Sequence, residues 1–139
     1  MSGGGSTRGP VAAALAVLFA SAALLTMGNG LAGTLVSVRA SAEGFAPAVT
    51  GAVMAAYFAG FVAGSFALPA LVRRVGHIRT FAAMISLASI AALAYALWVE
   101  PLFWTLLRFA HGACLAGGIM VIESWLNAIA TRATRGRIL

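Results

Sequence analysis

Four long apolar runs divide this chain, each with the roughly 20 residues a helix needs to cross a hydrocarbon core about 30 Å thick. They extend from Val11 to about Val36, from Pro47 to about Leu71, from about Ile78 to Trp98 and from about Phe103 to Ala130. Runs of this length and spacing predict an all-α fold, an integral membrane bundle of four transmembrane helices. Proline punctuates three of the starts: Pro10 and Pro47 fall in a first turn, where a missing N–H costs nothing, and Pro101 stands just before the fourth run.

The charges lie between the runs. The chain is 62% hydrophobic and only 9% charged, against roughly 25% charged in a soluble domain, so it cannot cover a globule with polar groups. The net charge of +6 would suggest a nucleic-acid partner in a soluble protein. Here the arginines sit in connections, which reads as topology, with anionic headgroups of the lipid bilayer beside them and no nucleic acid. The second connection holds Arg73, Arg74 and Arg79, and the far end holds Arg132, Arg135 and Arg137. The first connection carries one arginine and one glutamate, and the third only Glu100. Arginine-rich short loops stay on the cytoplasmic side, so the expected threading puts both ends on the cytoplasmic side of a cell (inner) membrane. Residues 1–10 are Gly/Ser-rich with one arginine and read as a disordered cytoplasmic tail; residues 11–139 form the bundle. Trp98 and Trp104 flank the third connection, as an aromatic belt would.

The first run has a rival reading. Arg8, the apolar stretch and Ala20-Ser21-Ala22 resemble a signal peptide with its cleavage site. Apolarity continues through Leu24, Leu25, Met27, Leu31 and Leu35, which favours a retained helix. The single cysteine, Cys114, excludes an intrachain disulfide and reads as packing.

Few motifs survive their plainer explanations. Gly28-Asn29-Gly30-Leu31-Ala32-Gly33 matches GxGxxG, but that fingerprint binds a dinucleotide only between a strand and a helix. Inside a span it reads as close packing of small residues, or as glycines that loosen the helix and leave Asn29 facing a cavity. Ala56, Gly60 and Gly64 form a small-xxx-small ladder for close helix contact. Tyr57 is equally a structural and a ligand-facing residue. No metal-ligand spacing and no nucleophile–base pair is visible, so neither an enzyme nor a metal or other cofactor is expected.

The fourth run carries the most chemistry. Arg108 and Glu123 both lie within it, and a charge at mid-membrane costs roughly 2.5–3.5 kcal/mol on insertion scales. Separated by about 22 Å along a helix, they cannot pair, although they share a face. His111 lies one turn from Arg108, and Asn127 one turn from Glu123. Arg108 either snorkels to the headgroups or lines a cavity that takes an anionic group or tunes a proton-carrying carboxylate. Glu123 is expected to pair with the Arg73–Arg79 loop, with proton carriage as the alternative.

The segment Leu71-Val72-Arg73-Arg74-Val75-Gly76-His77-Ile78-Arg79 resembles the loop motif G-x-L-A-D-R-x-G-R-K/R of the major facilitator superfamily. Leu71, Arg74 and Gly76 match; Pro69, Arg73 and His77 replace a glycine, the aspartate and an arginine. Arg108-Phe109-Ala110-His111-Gly112 is similar to the superfamily's R-x-x-x-G pattern, linked to proton coupling in some exchangers. Glu123-Ser124-Trp125-Leu126-Asn127, followed by Arg135-Gly136-Arg137, looks like the signature of YcaD-like transporters, a subgroup whose loop also lacks the aspartate.

The resemblance implies the N-terminal part of a twelve-helix fold, an N-terminal fragment of about four spans. It implies secondary active transport of a small solute by alternating access, with the remaining transporter helices as partners and protons as the candidate coupling ion. Asn29, Arg108 and His111 would face the substrate cavity. Arg73, Arg74, Gly76 and Arg79 would form an inner-side gating network with Glu123 and Asn127. Two other readings stay open: a self-contained four-span dimeric exporter, in which Glu123 would be the working carboxylate, and a non-transport scaffold that packs partner helices through Gly60 and Gly64.

Overall fold

A computed structural model of the chain describes the backbone of residues 8–135 and the side chains of residues 12–129. Its elements are α1 (Arg8–Ala42), α2 (Pro47–Val75), α3 (His77–Ala94) and α4 (Pro101–Arg135). No strand occurs among the described residues. All four helices are long and apolar enough to cross a membrane, and a bilayer satisfies no backbone polar group, which favours helices that satisfy their own. The protein is an all-α membrane bundle.

The helix ends differ from the hydropathy limits for local reasons. α1 starts at Arg8, inside the stretch read as a tail, and residues 1–7 lie outside the described part. Its other end runs past Val36 to Ala42. There Arg39 Nε donates to Glu43 Oε1 at 2.9 Å, an i,i+4 pair that supports the helix after apolarity stops. α3 ends earlier than expected, at Ala94, and Tyr95 to Leu97 continue as turns. α4 begins at Pro101, where Glu100 Oε2 accepts the Phe103 N–H at 2.7 Å and satisfies one of the free donors of the first turn.

Gly76 alone separates α2 from α3. Its N–H donates to Val72 O at 2.9 Å, and its own carbonyl accepts the Thr80 N–H at 3.1 Å and the Thr80 hydroxyl at 2.8 Å. Ending one helix and starting another on one residue requires φ 93° and ψ 159°, a region reserved for glycine.

α4 is the central helix: 56% of its apolar stretch is buried, against 6% for α1. α2 runs parallel to α4 in close register, with Gly60 against Phe109, Gly64 against Ala113, and Leu68 against Gly117. A Cβ on Gly60 would lie 2.7 Å from the Phe109 carbonyl carbon, and one on Gly64 2.8 Å from Ala113 Cα. Gly60 and Gly64 of the expected ladder are thus in true backbone-to-backbone contact with α4. α3 packs antiparallel to α4, with Met84 on Gly117 and Phe81 6.0 Å from Trp125. α1 touches α4 mainly through side chains, Leu25 near Gly118 and Gly33 near Arg108.

One end of the bundle, where the α1–α2 and α3–α4 connections meet, is closed by an apolar cluster of Val36, Ala40, Val53, Tyr95 and Trp104. Trp104 is fully buried and is not a belt residue. Its Nε1–H donates to Trp98 O at 2.9 Å, and its ring meets Phe45 at 5.2 Å and Tyr95 edge-on at 5.7 Å. Trp98 is exposed, as a belt residue would be. At the opposite end, α1 and α4 part into an apolar cleft of about 550 Å³ lined by Ala13, Val17, Leu18, Trp125, Ala128 and Ile129.

Candidate functional site

One turn beyond Trp104 on α4, Arg108 turns inward. It is only 3% exposed, so it does not snorkel to the headgroups. α4 supplies Arg108 and, one turn on, His111. α2 supplies Met54 and Tyr57, also one turn apart. α1 brings Gly33 and Asn29, again one turn apart, and the end of α3 adds Tyr95.

The contacts around the guanidinium are weak for a buried charge. Its Cζ lies over the Tyr57 ring, 5.2 Å from the centroid, and Nη2 contacts the Met54 sulfur at 3.6 Å. Gly33 admits it: a Cβ there would stand 3.0 Å from Nη2. The Tyr95 hydroxyl approaches the guanidinium, but its oxygen completes no well-aligned hydrogen bond. Nε and Nη1 are buried with no partner. A desolvated cation–π contact is worth about 2 kcal/mol, and a thioether is a weak acceptor. The cation–π contact alone does not cover the roughly 2.5–3.5 kcal/mol that an intramembrane arginine costs, and neither contact satisfies Nε or Nη1.

The neighbouring polar groups share this lack of partners. His111 is buried, its Nδ1 is unpartnered, and its ring centroid lies 6.4 Å from that of Tyr57. Asn29 faces the Tyr57 hydroxyl from α1, while its Oδ1 has no partner. Such groups are satisfied in most native interiors, and unsatisfied ones ask for an explanation.

The structure therefore brings together Asn29, Arg108 and His111, the three residues expected at the cavity. It adds Gly33, Met54 and Tyr95, which the sequence reading missed, and sets the Tyr57 ring against Arg108 and His111. Spacing held a signal for Gly33, one turn from Asn29. α1 is unbroken around Asn29, so Gly28 and Gly30 do not loosen it. Among the described residues nothing lies within 4 Å of a Cβ at either position.

The second group of residues lies around Gly76 and along the far half of α4. Arg73, Arg74 and Arg79 are exposed around Gly76, and Glu123 is exposed on α4. No ion pair links Glu123 to any of the three. Asn127, one turn further on, is also exposed. The side chains of Arg132 and Arg135, and all of Arg137, lie outside the described residues. Among the described residues no group of three His, Cys, Asp or Glu is placed to hold a metal.

Comparison with protein-family models, with curated proteins and with solved structures gives no match.

Proposed function

We propose that the chain is part of a secondary active transporter of the major facilitator type, moving a small solute by alternating access. It lies in a cell inner membrane with its N-terminal end cytoplasmic. The observation that carries this reading is the cluster of buried Arg108 and His111 with half-buried Asn29, where α1, α2 and α4 meet and polar atoms of all three lack partners. Intramembrane polar groups facing protein rather than lipid mark solute pathways, and transporters of this class bind their substrate near the midplane.

The two ends of the bundle support the same reading. The Trp104 cluster closes one end, while the cleft between α1 and α4 parts the other. With the arginine loop inside, this is a shape closed to the exterior and parted toward the cytoplasm. The Arg73–Arg79 loop and Glu123 would pair in the opposite state of the cycle.

Cysteine accessibility tests this. In a Cys114→Ser background, single cysteines at Ala128 in the cleft and at Phe45 in the plug are labelled with a membrane-impermeant maleimide from each side. Alternating access predicts Ala128→Cys reactive from the cytoplasm, and a reciprocal change at both positions when solute is present. Labelling that stays fixed at both positions under every solute condition sinks the transport reading. A scaffold would also be indifferent to Arg108→Gln, whereas a transporter would not.

A further inference from the structure

Arg108 lacks a counter-charge, and the described chain has none to give it. The sequence holds three acidic residues, and all are placed elsewhere. Glu43 pairs with Arg39, Glu100 caps α4 through the Phe103 N–H, and Glu123 is exposed about 22 Å along the same helix. A guanidinium cannot escape by losing its proton. The compensating negative charge therefore comes from outside these residues.

The contacts already present limit its shape. Tyr57 covers the guanidinium face, so a counter-ion arrives at the edge. Nε and Nη1 are buried and unpartnered there; Nη2 gives one N–H to Met54, and its other N–H makes a two-pronged edge with Nε or with Nη1, which matches a flat anion with two oxygens. His111 Nδ1 and Asn29 Oδ1, unpartnered beside the same tyrosine, offer polar contacts to the rest of such a molecule. A lipid phosphodiester also carries one negative charge, but buried Tyr95 and Trp104 stand between Arg108 and the near ends of the helices.

We propose that this cluster binds a small monocarboxylate from solution, with the carboxylate on the Arg108 edge and the remainder among Tyr57, His111 and Asn29. One unmatched positive charge selects one negative charge. The proposal rests on the transport reading for the ligand's fate, but binding is measured without transport.

The test uses the full chain in phosphatidylcholine nanodiscs. Acetate, lactate and benzoate are compared with acetamide, lactamide and benzamide, reading thermal unfolding and tryptophan emission. At least one carboxylate should bind about tenfold or more tighter than its amide and raise the melting temperature. Arg108→Gln should abolish the preference, and Arg108→Lys should keep part of it. Without ligand, Arg108→Gln should melt no lower than the parent chain, because an unmatched charge has been removed; a lower melt overturns the claim that the charge is unmatched. Carboxylate affinity should be unchanged in phosphatidylglycerol nanodiscs, and competition by that lipid overturns the proposal in favour of a headgroup. Equal binding of acid and amide, binding of neither, or a preference that survives Arg108→Gln overturns it too. Selective carboxylate binding with fixed cysteine accessibility sinks the transport reading alone. Reciprocal accessibility changes with a neutral solute, and none with carboxylates, sink this proposal alone.

Discussion

Adding one methyl group at Gly60 should do more damage than most deletions in this protein. The Cβ of Gly60→Ala would lie 2.7 Å from the Phe109 carbonyl carbon and 2.8 Å from Phe109 Cα, short of the 3.4–4 Å of ordinary contact. Those atoms are backbone and cannot turn aside as a flexible side chain would. α2 and α4 must therefore separate by roughly 1 Å along their shared seam, at about 3 kcal/mol, the upper end for overpacking. Gly112→Ala meets the Tyr57 carbonyl carbon at 2.9 Å and the Phe61 nitrogen at 3.0 Å from the other side, so its effect should be similar. It also displaces the turn that holds the Tyr57 ring over Arg108. Gly28→Ala and Gly30→Ala meet nothing within 4 Å and should be neutral or stabilise by up to about 1 kcal/mol through a less flexible unfolded chain. Reversible unfolding in mixed detergent micelles, followed by tryptophan emission, reads all four. The packing variants should shift the equilibrium roughly a hundredfold toward the unfolded form. If Gly60→Ala and Gly112→Ala both stay within about 0.5 kcal/mol of the parent, the close α2–α4 seam is wrong.

The same assay checks three other positions. Gly76→Ala should cost about 1–3 kcal/mol, because φ 93° with ψ 159° is strained for any side chain. Trp104→Ala should cost about 3–5 kcal/mol as a buried aromatic is lost, with emission from the remaining tryptophans shifting to the red. Glu100→Ala should cost about 0.5–2 kcal/mol through the lost α4 cap, a loss that Glu100→Asp or Glu100→Asn should largely restore. In intact micelles Cys114 is buried and should react with maleimide far more slowly than a cysteine placed at exposed His77.

The number and order of the helices were legible because a bilayer's thickness sets a length that hydropathy reads directly. Their ends were not, because hydropathy reports where lipid is tolerated, and hydrogen bonds decide where a helix stops. Arg39 and Glu43 carry α1 beyond its apolar stretch, while the apolar Leu97 and Trp98 lie past the end of α3. In the site, Arg108 and His111 stood out because such side chains are rare inside spans. Gly33, Met54 and Tyr95 did not, since what qualifies them is the helix face they share with Arg108, and packing decides that. Gly28 and Gly30 show the converse: their motif drew attention, yet α1 turns both toward open space. The latch expected between Glu123 and the arginine loop joined two features by membrane side alone, which says nothing of whether their side chains meet.

A joint one residue long transmits tilt instead of absorbing it. With Gly76 coupling α2 to α3, and the glycine seam fastening α2 to α4, those three helices behave as a single keel. The first helix hangs beside it, tethered through Glu43 to Ala46 and by a handful of side chains. In the transport cycle proposed above, rocking would fall on that helix, and each swing would uncover or shut the flank of the guanidinium.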